Sequence, residues 1–296
     1  MDNNFRAGDS NRVTREYFDS LLIEMRHIDA VLPNTRMKLY GENFDTPVMT
    51  AALSHLNNIH KDGMVELARG AKLANAVMWA GMGDYDELEQ ICATGAKVIK
   101  IIKPYADNDE IFRKIAHAEE NGCIAVGIDT DHAYNQTGGY DVIHDLKMSG
   151  KTLDEIKQFV KATKLPFIIK GVLSVQDALK CMEAGIQGVV VSHHHGIMEY
   201  AVPPLVVLPK IVQALRGTMP IFVDCSVESG FDAFKAIALG ATAVSAGRAL
   251  MGPLGENGAE GVKQKILAMN AQLAGTMTRT CSRDITTIDS TLIYRL

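Results

Sequence analysis

Three groups of residues have the types and spacing that chemistry needs: Lys170 with Gly171, the triplet His193-His194-His195, and Gly247-Arg248. Lys170 ends one short apolar run and the histidines end the next, with a helical pattern between them. In a parallel sheet ligands gather at the carboxyl ends of strands, so these side chains would face one shared space. An imidazole titrates near neutrality and can take a proton from a carbon or a hydroxyl. Lysine is expensive to bury without an anionic partner, and Gly171 permits close backbone approach. Asp129 follows another apolar run, at a place where a lone aspartate usually caps a turn. The histidines also raise a metal reading. Neighbours on an extended segment point opposite ways, so one ion would rarely use all three. Asp129, Asp131, His132 and His55 could still approach the same mouth.

The elements that must position these groups repeat along the chain. Apolar, β-branched runs at 47–51, 76–79, 98–102, 124–128, 167–170, 188–191, 221–224 and 243–246 predict eight strands. Helical patterns fall between them, at 61–73, from about 85, at 109–120 and at 153–162. The helix after 167–170 opens with Ser174 and Asp177 in capping-box spacing. Parallel strands need helical crossovers, so the pattern predicts an α/β fold, a (β/α)8 TIM barrel, with an open doubly wound sheet as the alternative. The whole chain reads as one domain: an N-terminal helical extension over 1–45, with a helix at 13–28, the barrel over 46–255, and a C-terminal helix and tail over 256–296. Residues 251–257 read as a Gly-rich loop, and the last helix spans about 262–273. The stretch 131–144 is longer than an ordinary strand-to-helix turn and reads as a lid or as a surface loop.

Composition narrows the function classes. A chain of 296 residues, 47% hydrophobic and 22% charged with a net charge of -5, carries no basic block for nucleic acid or an anionic membrane. The first residues lack the apolar core and basic flank of a signal peptide, so the expected location is cytoplasmic. Five cysteines without a CxxC pair argue against a disulfide framework or a zinc knuckle.

Three runs, LPFIIKGVLSVQDALKCMEAGIQGVVVSHHHG, MPIFVDCSVESGFDAFKAIALGATAVSAGRAL and MTRTCSRDI, resemble the carboxyl half of the FMN-dependent α-hydroxy-acid oxidases and dehydrogenases, such as glycolate oxidase. The likeness is clear over about 164–285 and weaker over 13–130, where Glu16-Tyr17-Phe18 and Thr46-Pro-Val-Met-Thr-Ala fall in place; the chain reads as a shortened relative. The resemblance implies an eight-stranded barrel, FMN as cofactor and oxidation of a hydroxy acid or related alcohol by His-assisted hydride transfer. It implies His194 as the base, Asp129 as the carboxylate that pairs with it, and Lys170 beside the flavin ring, where a fixed positive charge favours the reduced form. Gly247 and Arg248 match the phosphate contact, served also by a helix starting near residue 230. Asp224 matches the ribityl contact and Ser192 opens the histidine motif. Tyr17 matches a substrate-binding tyrosine, and Lys100 stands in place of a glutamine that reads the flavin ring. A homo-oligomer, tetramer or larger, is also implied.

The departures concern substrate and phosphate. The arginine that clamps the substrate carboxylate falls at Ile197, and a second one, near Gln136, has no counterpart. Glu228 stands where a phosphate-binding arginine is expected. Tyr17, Lys100 or Lys103 would have to hold the substrate instead. Two further classes remain open from sequence: a flavin-free isomerase, lyase or aldolase using Lys100, Lys170 or a metal, and a non-catalytic ligand-binding relative.

Overall fold

A computed structural model describes residues 8–296 of the chain; residues 1–7, part of the expected N-terminal extension, lie outside the described residues. Eight parallel strands form one sheet: β1 Val48–Thr50, β2 Met78–Ala80, β3 Val98–Ile102, β4 Ala125–Asp129, β5 Phe167–Val172, β6 Gly188–Val191, β7 Ile221–Val223 and β8 Ala243–Ala246. Each is hydrogen-bonded to its sequence neighbour, and β8 pairs with β1. The Thr50 N–H donates to Val77 O across 3.1 Å and Gly81 N–H to Leu53 O across 2.8 Å, which closes β1 onto β2. The barrel expected from the repeat is present, and the open-sheet alternative falls with that closure.

Nine helices are described: α1 Ser10–Asp19, α2 Gly63–Leu73, α3 Tyr85–Ala93, α4 Asn108–Glu120, α5 Leu153–Lys161, α6 Val175–Glu183, α7 Pro204–Leu215, α8 Gly230–Ala238 and α9 Arg248–Thr278. Local chemistry starts several of them. Ser174 caps α6 by accepting from Asp177 N–H, and full capping boxes start α5 at Thr152 and α8 at Ser229.

Alternation along each strand sorts the core into two layers. Met49, Val77, Trp79, Ile99, Ile101, Ala125, Ile168, Val190, Phe222 and Ala243 fill the barrel interior. Val98, Ile102, Val126, Ile128, Phe167, Ile169, Val189 and Val191 face the helices instead. An antiparallel hairpin, Met37–Leu39 with Glu42–Phe44, adds Met37, Leu39 and Phe44 to the inner layer.

Three expectations change. The helix expected over 13–28 runs from Ser10 to Asp19, because Leu21–Ile23 pairs antiparallel with Ile293–Arg295, a partner 270 residues away that local periodicity does not reveal. Residues 251–257 are helical rather than loop: α9 starts at Arg248 and bends at Asn257 and Gly258. There Glu66 accepts from Ala259 N–H at 3.0 Å and supplies the missing cap. The stretch 131–144 is ordered, with a short 3-10 turn at Thr130–His132 and a small hairpin of Val142–Ile143 with Leu146–Lys147. The His144 ring lies 4.7 Å from the His55 ring, tying this hairpin to the loop after β1.

Candidate active site

The inner-facing series continues past the carboxyl ends of the strands into a cavity. Ala51, Gly81, Ile101, Lys103, Asp129, Lys170, Asp224, Ser245, Gly247 and Arg248 line it, joined by His194 and His195 from the loop after β6. Lys170 and Asp129 sit opposite each other in register on neighbouring strands. The Lys170 ammonium donates to Asp129 Oδ1 at 3.3 Å, lies 3.0 Å from His194 Nδ1, and has Asp224 Oδ2 at 4.0 Å. Lys103 donates to the other Asp129 oxygen at 2.7 Å.

Burial disfavours every charge here, but the charges answer one another. It pushes the Asp129 carboxyl up, yet Lys170, His194 and Lys103 outweigh it and hold the group well below its ordinary value. Burial likewise works against the Lys170 ammonium, which Asp129, Asp131 and Asp224 keep above its ordinary value. His194 is raised: burial and Lys170 pull it down, and Asp129 and Asp131 more than compensate.

The histidine triplet is a left-handed turn and not an extended segment: His194, His195 and Gly196 all have positive φ, 47°, 57° and 78°. Each ring therefore leaves in its own direction. His193 is buried, accepts from Gly196 N–H on Nδ1 and donates from Nε2 to Thr14 Oγ1 at 2.7 Å. His194 meets Asp129 and Asp131, and His195 is exposed at the cavity. Helix α1 fixes this turn, with Asn11 donating to His195 O at 2.9 Å and Ser10 to Met198 O at 2.6 Å. Strain of this kind gathers at functional sites.

Of the residues singled out from sequence, His194, Asp129, Lys170, Asp224, Gly247 and Arg248 come together. Ser192 lies just beneath, its hydroxyl accepting from His194 N–H at 3.0 Å and 3.6 Å from Cys225 Sγ. Two residues do not join them. Lys100 falls on the outward-facing series of β3, where its ammonium donates to Gly81 O at 2.5 Å; burial, with Lys114 nearby, pulls its pKa down to about 8. A strand slip of one residue exchanges faces, so Ile101 and Lys103 occupy the places inside the barrel. Tyr17 is also elsewhere: its ring packs under the Arg295 guanidinium, 4.9 Å away, beyond the strand pair that ends α1. Ile197 and Gln136 are outside the cavity lining as well.

Two further residues belong to the site: Lys103, considered from sequence as a substrate contact, and Asp131, which sequence reasoning gave no role beside the histidine. Lys103 was legible as the next inward step after Ile99 and Ile101. Asp131, named only as a possible metal neighbour, lies 2.7 Å from His194 Nδ1; its signal was the spacing Asp129-Thr130-Asp131 at a strand end. Ligand atoms of Asp129, Asp131 and His194 lie within 4.8 Å of one another. The Lys170 ammonium already stands among them, and a fixed positive charge there opposes a cation.

The donor set fits a flavin mononucleotide. Lys170 offers a buried cation at the depth of the cavity, and Arg248 a guanidinium at its rim, 3.5 Å from Ser226 Oγ. The helix end offered to a phosphate is that of α9, whose first residues Arg248 and Ala249 line the cavity. Helix α8, expected to serve, has first-turn donors already taken: Gly230 N–H donates to Gln272 Oε1 at 2.9 Å and Asp232 N–H to Ser229 Oγ at 3.2 Å. Glu228 lines the cavity beside Arg248 and carries the wrong sign for a phosphate.

Comparison with known proteins identifies the family. The family profile described as FMN-dependent dehydrogenase matches residues 1–153 and 133–295. Glycolate oxidase 3 of Arabidopsis thaliana is 26% identical over 94% of this chain and 86% of its own length. L-lactate oxidase of Lysinibacillus sphaericus is 27% identical over 94% and 84%. A solved mandelate oxidase variant carrying a monooxide FMN adduct superposes with a TM-score of 0.88 at 25% identity, over 98% of this chain and 92% of that one. The chain belongs to the family of FMN-dependent dehydrogenases, and it is an FMN-dependent oxidoreductase with a TIM-barrel fold.

Proposed function

We propose that this protein oxidises a hydroxy acid, with His194 as the base that takes the substrate proton. The observation that carries the reading is the meeting of Lys170, Asp129 and His194 at the carboxyl ends of three strands, in one cavity with Arg248. Bound FMN would supply the hydride acceptor. Lys170 would place a buried positive charge beside it, Arg248 and the first turn of α9 would hold its phosphate, and Asp224 would line the wall between, with Ser192 beneath. The relatives named for glycolate, lactate and mandelate support a 2-hydroxy acid. Of the three residues considered for the missing carboxylate clamp, Lys103 alone faces the cavity.

The flavin-free readings lose their chemistry in this geometry. A Schiff base needs a neutral amine, and the carboxylates around Lys170 hold it charged. Lys100 has the lowered pKa but faces away from the cavity.

A cytoplasmic homo-oligomer is part of the proposal. Free cysteines throughout, including Cys92 and Cys123 with sulfurs 3.9 Å apart, support a reducing compartment. The exposed Met25, Ile28 and Leu32 support an assembly surface. Among the described residues no helix is long and apolar enough to cross a membrane.

The test is the absorption spectrum of the purified protein, before and after titration with FMN, followed by exposure to glycolate, lactate and mandelate. Flavin bands that one of these acids bleaches are expected. A colourless protein that takes up no FMN overturns the proposal.

A further inference from the structure

His194 Nδ1 has three polar neighbours and room for one proton. Asp131 Oδ1 lies 2.7 Å away, Lys170 Nζ 3.0 Å and Asp129 Oδ1 3.2 Å. An ammonium only donates, so a bond from Lys170 needs a bare Nδ1 and puts the ring's proton on Nε2. A carboxylate only accepts, so a bond to either aspartate needs Nδ1–H and leaves the lone pair on Nε2. The arrangements give opposite tautomers, and only the second leaves a ring nitrogen free to act as a base while the other is held.

The two aspartates differ in what else they serve. Asp129 is committed to lysines, with Oδ2 accepting from Lys103 and Oδ1 from Lys170. Asp131 has its Oδ2 buried without a hydrogen-bond partner, so its one bond is to the imidazole. The fold also holds Asp131 in place. Thr130 on one side donates to Lys170 O at 3.1 Å, and the His132 ring on the other packs edge-on against the His194 ring, centroids 4.5 Å apart. Behind it, β5 shifts register at Gly171, whose φ of +96° brings backbone so near that a Cβ there would lie 2.6 Å from the Asp131 carboxyl carbon.

We infer that Asp131 is the positioning residue for His194: it accepts the Nδ1 proton and fixes the tautomer with Nε2 bare, while Asp129 serves to anchor Lys103 and Lys170. This departs from the division of labour that the family resemblance implies, in which Asp129 supports the histidine. It rests on the reading of His194 as the base. Burial and the neighbouring Asp129 push the Asp131 carboxyl up to about 6, so the anionic partner that this bond requires predominates above that pH.

The tautomer can be read without turnover. In FMN-loaded protein labelled with 15N-histidine, ring-nitrogen shifts are followed against pH, and the His194 signals are assigned by their loss in His194→Asn. The parent protein should show neutral His194 protonated on Nδ1, an outcome that needs no other variant. Asp131→Ala should abolish that preference and lower the ring's proton affinity about tenfold or more, the scale of one lost charge-assisted hydrogen bond. Asp129→Asn should keep the Nδ1–H form. Protonation on Nε2 in the parent overturns the inference, because Lys170 then holds the ring. So does an Asp131→Ala protein with parental tautomer and affinity. Turnover of His194→Asn is a separate reading: parental activity there removes the base assignment and leaves the tautomer result standing.

Discussion

The Lys170 ammonium and Asp129 Oδ1 are 3.3 Å apart, with side chains only 6% and 4% exposed, so neither charge has water to fall back on. Removing one partner of such a pair typically costs about 3–5 kcal/mol. Lys103 still faces Asp129 when Lys170 is lost, which places Lys170→Met near about 3 kcal/mol by urea unfolding, in the same range. Adding Asp129→Asn should recover part of that loss. Activity should fall about a hundredfold or more, the usual scale for an electrostatic contact to the reacting centre.

Lys103 should set the preference for an anionic substrate. Lys103→Met is expected to raise KM for a 2-hydroxy acid by about tenfold to a hundredfold, the range of one or two charge-assisted contacts. The rate with an uncharged alcohol analogue should change much less. Steady-state kinetics on matched acid and ester substrates distinguishes these, since lost substrate binding appears in KM ahead of kcat.

Lys100 supplies a pH test of its outward orientation. Folded, it releases its proton at about 8 because burial disfavours the charge; unfolded, it does so near about 10.4. Between those values the unfolded chain binds more protons, so stability attributable to this group rises with pH. The parent should therefore gain stability relative to Lys100→Met as pH climbs through that window, measured by denaturant midpoints. The variant should keep its flavin spectrum, which a residue reading the flavin ring would not permit.

Arg248 and Glu228 line the same rim with opposite charges. Arg248→Ala should weaken FMN binding and Glu228→Gln should tighten it, each by about tenfold, the scale of a partly solvated charge contact. Fluorescence titration of FMN checks both, and added salt should shrink both effects.

The barrel was legible because eight apolar runs at regular spacing leave few alternatives. Lys170 and His194 were legible because each stands at a strand's carboxyl end, and Asp129, Asp224 and Arg248 through the family resemblance. What sequence hid was register and distance. On β3 every residue from Val98 to Ile102 is buried, so no polar alternation marks which face is inward, and the resemblance puts Lys100 where the structure has Ile101. Tyr17 depended on where α1 ends, and that is decided by the pairing of Leu22 with Tyr294. Asp131 reaches His194 through a turn whose course depends on the backbone approach at Gly171, a contact between segments 40 residues apart.

The central claim, that His194 takes a proton as a hydroxy acid is oxidised, is tested most directly by anaerobic rapid mixing of the FMN-loaded protein with glycolate, lactate and mandelate while flavin absorbance is followed. The account predicts that at least one acid bleaches the parent protein, and that His194→Asn, with FMN still bound, is slower by about a hundredfold or more, the usual scale for a lost general base. Bleaching of His194→Asn at the parental rate would contradict it.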